Sequence, residues 1–146
     1  MKKETHSLPR WTLGAIAGAL IFLFAVTAFA DRQTLTKSTA PGKYASTGVC
    51  VTQTEADTSN KDQFLSTGND LVLAHNTGGS DHTVTITSVA DSYGRTGNIS
   101  QLVTAGNIYA FGPFPQTAWM QTGGYIYLEA DSTDVDFSVI TLPGTP

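Results

Sequence analysis

The sequence predicts an all-β fold: an antiparallel β-sandwich or jelly roll of about eight short strands, preceded by one N-terminal hydrophobic helix. Three observations carry this expectation. Short runs of β-favouring residues are punctuated by Gly, Asn, Asp and Pro. Threonine supplies 19 of the 116 residues after Ala30, a bias that suits half-exposed strands better than helices. The 20 residues from Trp11 to Ala30 carry no charge at all, which sets them apart from everything that follows.

The chain accordingly divides into residues 1–30, an extended linker or arm over 31–46, and a single sandwich domain over 47–146. Lys2, Lys3 and Arg10 precede the apolar run, a bias that keeps that end in the cytoplasm and sends the following chain across. Ala28 and Ala30 are the small residues a signal peptidase inspects, and cleavage after Ala30 leaves a mature chain beginning at Asp31. The alternative is a retained helix. Twenty residues span about 30 Å, enough to cross a bilayer, and Gly14 and Gly18 form a small-xxx-small pair for close helix packing in a membrane or a filament core. Either reading places the body outside the cytoplasm, exported or membrane-anchored. Residues 31–44 contain Pro41-Gly42 and no periodicity, as an extended arm does.

The clearest strand is His82 to Val89, where Val84 and Ile86 alternate with threonines. Tyr125 to Ala130 alternates similarly through Ile126 and Leu128. Asp134 to Leu142 begins with Val135, Phe137 and Val139 inward, then changes phase at Ile140, which implies a bulge or a second buried face. Weaker strands are expected at Gly48–Gln53, Leu71–Asn76, Ile99–Thr104, Asn107–Gly112 and Thr117–Gln121. Glu55 to Ser66 is the one place for a short helix, capped by Asp57 or Ser59.

Charge excludes one broad class. After Ala30 the chain holds five Lys/Arg against eleven Asp/Glu, so the body lacks the basic footprint of a nucleic-acid binder. One cysteine, Cys50, rules out an internal disulfide framework and reads as a small core residue in an apolar strand. Catalytic equipment is scarce. No Gly-x-Ser-x-Gly elbow and no Gly-rich phosphate loop occur, and Gly78-Gly79 and Gly123-Gly124 read as turns. His75 and His82 flank one loop and would face each other if their strands formed a hairpin. With Asp81 they offer a metal at most an incomplete ligand set. Asp131, Asp134 and Asp136 lack the glycine and closing Glu of a calcium loop and read as a charged strand face. The expectation is therefore a protein with no enzymatic activity, no cofactor and no metal.

Contact residues are the remaining candidates. Phe111 and Phe114 lie in the block from Tyr109 to Pro115, with Trp119 close behind. Such rings either plug one end of a sandwich or anchor an interface. Arg95, between Gly94 and Gly97, either pins its own loop through Asp91 or reaches a neighbouring subunit.

From Gly68 to Pro143 the order of short motifs resembles small proteins encoded in the structural modules of tailed phages and prophages. The likeness is carried by Asn69-Asp70-Leu71-Val72-Leu73, Asn76-Thr77-Gly78 and His82-Thr83-Val84-Thr85-Ile86. It continues through Ser88-Val89-Ala90-Asp91, Tyr93-Gly94-Arg95-Thr96-Gly97 and Ala110-Phe111-Gly112-Pro113-Phe114, ending with Tyr127-Leu128-Glu129-Ala130. The resemblance implies a head-decoration-like β-sandwich that binds other virion subunits and has no catalytic residues. The apolar run at 11–30 departs from that pattern, since a capsid protein assembled in the cytoplasm has no need of it. The sequence thus points to a virion- or surface-associated structural subunit that self-associates or docks on other subunits, contacting membrane through residues 11–30 if they are uncleaved. A subunit of an exported extracellular filament and an exported glycan-binding module are the alternatives.

Overall fold

A computed structural model describes residues 31–144 of the chain. The expectations at Gly14, Gly18, Ala28 and Ala30 fall outside the described residues.

The alternating patterns fold as period-two strands with one face turned inward. Ten strands and one short helix follow in the order β1 (Gln33–Thr34), β2 (Lys37–Thr39), β3 (Thr54–Glu55), β4 (Asp62–Leu65), β5 (Asp70–Asn76), β6 (His82–Thr87), β7 (Ile99–Val103), β8 (Ile108–Phe111), α1 (Gln116–Trp119), β9 (Tyr125–Ala130) and β10 (Val135–Thr141). They form two sheets in a sandwich-like arrangement. One has the order β1-β4-β9-β6-β7; the other is β2-β10-β5-β8, with β3 also pairing β10. Between them lies a single core that includes Phe64, Val72, Ile86, Ile126, Leu128 and Phe137.

The sheets are mixed, which corrects the purely antiparallel expectation. β1 runs parallel to β4 and β2 parallel to β10, whereas the long central pairs β10–β5, β5–β8, β6–β9 and β6–β7 are antiparallel. Both parallel strands come from the segment read as a free arm. Arg32 to Ala40 is instead woven into the body: it adds an edge strand to each sheet and buries Leu35 between them at 5% exposure. Leu35 N–H donates to the Gln63 carbonyl at 2.8 Å, and Ala40 N–H to that of Thr141 at 2.9 Å. Arg32 closes the start of the arm with an ion pair to Glu129 at 2.9 Å and stacks over the Tyr127 ring.

Three local expectations give way to competing chemistry. Over Glu55–Ser66 there is no helix. The Asp57 carboxylate accepts from the N–H groups of Ser59 and Asn60, Lys61 takes a left-handed φ of 68°, and the chain enters β4. Asp57 does cap a turn, but with so few apolar positions only one turn forms. Over Thr117–Gln121 the expected strand is the helix α1, which starts behind Pro115 and closes with Met120 N–H donating to the Gln116 carbonyl. Gly48–Gln53 joins no ladder. It lies outside the sandwich, fixed by Ser38 Oγ between the Cys50 carbonyl and Thr52 N–H, so Cys50 is exposed rather than in the core. The phase change in β10 proves to be a second covered face: Ile140 shares a small apolar hollow with Pro41, Val49 and Val51.

Candidate functional site

The aromatic block packs inward. Phe114 is 2% exposed, with its ring centroid 6.5 Å from that of Phe64 and 5.6 Å, edge-on, from that of Trp119. Phe111 is buried at the end of β8, and Trp119 packs against the same core. Gly112 allows this inward turn. Its φ of 104° is a glycine conformation, and a Cβ there would stand 2.7 Å from the Asp70 carbonyl. These rings close one end of the sandwich, so within a single chain they present little surface to a partner.

Arg95 is engaged with its own loop. Its Nε and Nη2 both lie 2.7 Å from Asp91 Oδ2, and Asp91 Oδ1 accepts from the backbone N–H groups of Tyr93 and Arg95. The bonds from Arg95, backbone first, hold the Asp91 carboxyl below its ordinary range. The loop stands out from the body, with Tyr93 83% exposed.

The two histidines do not meet. His75 lies on β5 and His82 on β6, in different sheets, so the hairpin that would have paired them is absent. His82 instead meets Asp131 through Nδ1 at 3.0 Å, while its Nε2, 3.5 Å from Asp134, has no hydrogen-bond partner. Asp131 also accepts from Thr83 N–H, so the pair ties the β9–β10 turn to the start of β6. Asp136 lies apart on β10, opposite His75 in the register. Among the described residues no group of three or more His, Cys, Asp or Glu is placed to hold a metal ion, and no helix is long and apolar enough to cross a membrane.

Two buried carboxylates escaped the reading of the sequence. Asp70, 1% exposed on β5, accepts from Thr67 N–H at 2.6 Å, Thr141 Oγ1 at 2.7 Å and Lys37 Nζ at 3.2 Å. Burial pushes its pKa up, but these donors outweigh that and hold it below the ordinary value. Asp62, fully buried on β4, accepts from Asp57 N–H through Oδ2, while Oδ1 has no partner. Burial raises its pKa to about 6. Neither opens into a cleft. A hollow of about 340 Å³ lies between β3 and the turn after it, lined by Gln33, Thr54, Glu55, Asp57, Ser59 and Thr133 among others. It gathers two carboxylates and several hydroxyls but no histidine, cysteine or lysine.

The distinctive surface lies along the flank opposite the arm. From Thr96 through Leu128 no residue carries a formal charge, in a chain whose net charge is −4. This run contains β7 and β8, the far edges of the two sheets, joined by the short turn Thr104–Asn107, where the Asp81 carboxylate accepts from Ala105 N–H at 3.0 Å; the rest of the run leads through α1 into the central strand β9. Natural edge strands are blunted by charge, proline or shortness. The edges on the arm side obey that rule, being two or three residues long with Arg32, Lys37 and Pro41 beside them. β7 and β8 do not. Leu102 on β7 is 49% exposed and Ile108 on β8 is 56% exposed. The signal was present in the sequence as an uncharged run, but it becomes a surface only once the strand order is known.

Neither known protein families, nor curated proteins, nor solved structures match this chain at a significant level.

Proposed function

We propose that this protein is a non-enzymatic structural subunit, a β-sandwich body that works by protein–protein contact on a virion or exported surface, in the manner of a capsid-decoration protein. The observation that carries this reading is the uncharged edge strand β7, with Leu102 half exposed on it and Ile108 half exposed across the turn on β8. Such an edge is costly to leave open, since it invites pairing with any available strand. The ionisable groups support the same reading. Asp57, Asp70, Asp91 and His82 all brace turns or join strands. The likeness to phage structural-module proteins adds support, and so does the apolar leader, which sends the body out of the cytoplasm or tethers it to the membrane.

The test is negative-stain microscopy of the protein recovered from its host, with N-terminal sequencing and sedimentation of the same sample. Regular particles or filaments containing the chain are expected. A chain that stays monomeric and attaches to no larger assembly overturns the proposal.

A further inference from the structure

The sheet β1-β4-β9-β6-β7 carries a polar strip on its outer face. Along β9, Ile126, Leu128 and Ala130 point into the core, so Tyr125, Tyr127 and Glu129 stand outside. Along β6, Val84 and Ile86 are buried, and Thr83, Thr85 and Thr87 stand outside. The register sets Thr85 beside Glu129 and Thr87 beside Tyr127. At the end of this strip Lys61, Thr83, Thr85, Glu129, Ala130 and Asp131 line a hollow of about 150 Å³. The geometry points to a binding site for a neutral saccharide in this hollow, with the sugar ring held by side chains alone. This goes beyond the subunit reading, which concerns β7 and β8.

The lining of the hollow selects that class of ligand. β6 and β9 are interior strands with a hydrogen-bonded neighbour on each side, so no row of free N–H and C=O groups is left to take a peptide strand. Charge narrows the choice further. Glu129 faces Arg32 at 2.9 Å and Lys61 at 3.9 Å, while Asp131 accepts from Thr83 N–H and meets His82. The cations repel a metal ion, and the carboxylates repel a phosphate or sulfate. An apolar ligand would meet polar side chains at every lining position but Ala130. A neutral polyhydroxylated molecule meets none of these objections. Its hydroxyls each donate and accept, which matches carboxylates that only accept, an ammonium that only donates and threonine hydroxyls that do both. The strip continues from Glu129 to Tyr127, about 7 Å along β9. There the Arg32 guanidinium sits 4.0 Å over the ring and fixes it. A second sugar unit extending along β9 comes to that aromatic side chain.

The experiment applies the purified full chain to a printed array holding neutral hexose and N-acetylhexosamine oligosaccharides beside sialylated and uronate-containing ones. Binding to neutral members is expected, and calorimetric titration of the strongest gives its dissociation constant. Thr85→Val removes a hydroxyl from the hollow at nearly unchanged shape and is expected to raise that constant about fivefold. Thr83→Val repeats the test on the same wall. Both exchange one β-branched residue for another, so the urea midpoint is expected to stay at the wild-type value. Thr117→Val, exposed on α1, is expected to leave the constant unchanged. Because the ligand is uncharged, the constant is expected to change less than about twofold between about 0.05 M and about 0.5 M salt. An array on which no neutral glycan binds, or on which acidic glycans bind in preference, overturns the inference. So does equal affinity in wild type and both hollow variants, or a steep loss of binding with salt.

Discussion

Asp62 is the residue whose chemistry most directly sets a property of the whole fold. Its carboxyl has an ordinary value of 3.8 when the chain is unfolded and about 6 when buried on β4. Between those values the native state holds the proton and the unfolded state does not, so Asp62 costs stability progressively as pH rises through that window. The full shift corresponds to at most about 3 kcal/mol. Asp62→Asn is therefore expected to raise the urea midpoint at pH 7.5 relative to wild type and to leave it nearly unchanged at pH 3.5. A constant difference across pH would refute the assignment. Asp70 acts in the opposite sense, since its lowered pKa stabilises the fold above its ordinary range and that gain is lost on acidification. Asp70→Asn, unlike Asp62→Asn, is expected to lower the urea midpoint at pH 7.5 more than at pH 3.5. Phe114 supplies a purely apolar counterpart. Packed between Phe64 and Trp119, it should cost about 3–5 kcal/mol on truncation to Ala, measured by denaturant unfolding. A loss below about 1 kcal/mol would mean that the ring lies at a surface.

At the scale of elements, the arm behaves differently from its composition. Nothing in residues 31–40 alternates cleanly, yet they contribute β1 and β2 because Leu35 reaches the core and backbone partners wait on β4 and β10. Leu35→Ala is expected to cost about 2–4 kcal/mol and to speed proteolysis between Pro41 and Gln53, read by limited digestion and mass spectrometry. Unaltered cleavage would show that the arm does not depend on that anchor. The strands most legible in the sequence were those with an unbroken period, β6 through Val84 and Ile86, β9 through Ile126 and Leu128, and the first half of β10, and the weaker expectations at Leu71–Asn76, Ile99–Thr104 and Asn107–Gly112 are met by β5, β7 and β8. Where the reading failed, a single local bond decided the outcome. Asp57 diverted 55–66 from helix to turn, and Pro115 started α1 where alternation suggested a strand. Parallel pairing of short strands leaves no periodic trace, because two or three residues are too few to show a period.

For the molecule as a whole, charge is the organising quantity. After Ala30 the chain carries eleven acidic against five basic residues, so self-association should tighten as salt screens the repulsion between copies. Sedimentation equilibrium is expected to show a several-fold fall in the dissociation constant for self-association from about 0.01 M to about 0.15 M salt. Weakening with salt would point instead to pairing of opposite charges. The candidate surface was only half visible beforehand. Phe111, Phe114 and Trp119 stood out by residue type, but their size is the reason they fill the sandwich end, whereas Leu102 and Ile108 were hidden among polar neighbours until the strand order exposed them. The arm has a mechanical corollary. Any pull on the chain ahead of Asp31 arrives first at the Arg32–Glu129 contact and the two-residue β1, then at Leu35, and only afterwards at the long ladders behind them. Tension would strip this outer seam bond by bond, spending its work there before the central strands began to part.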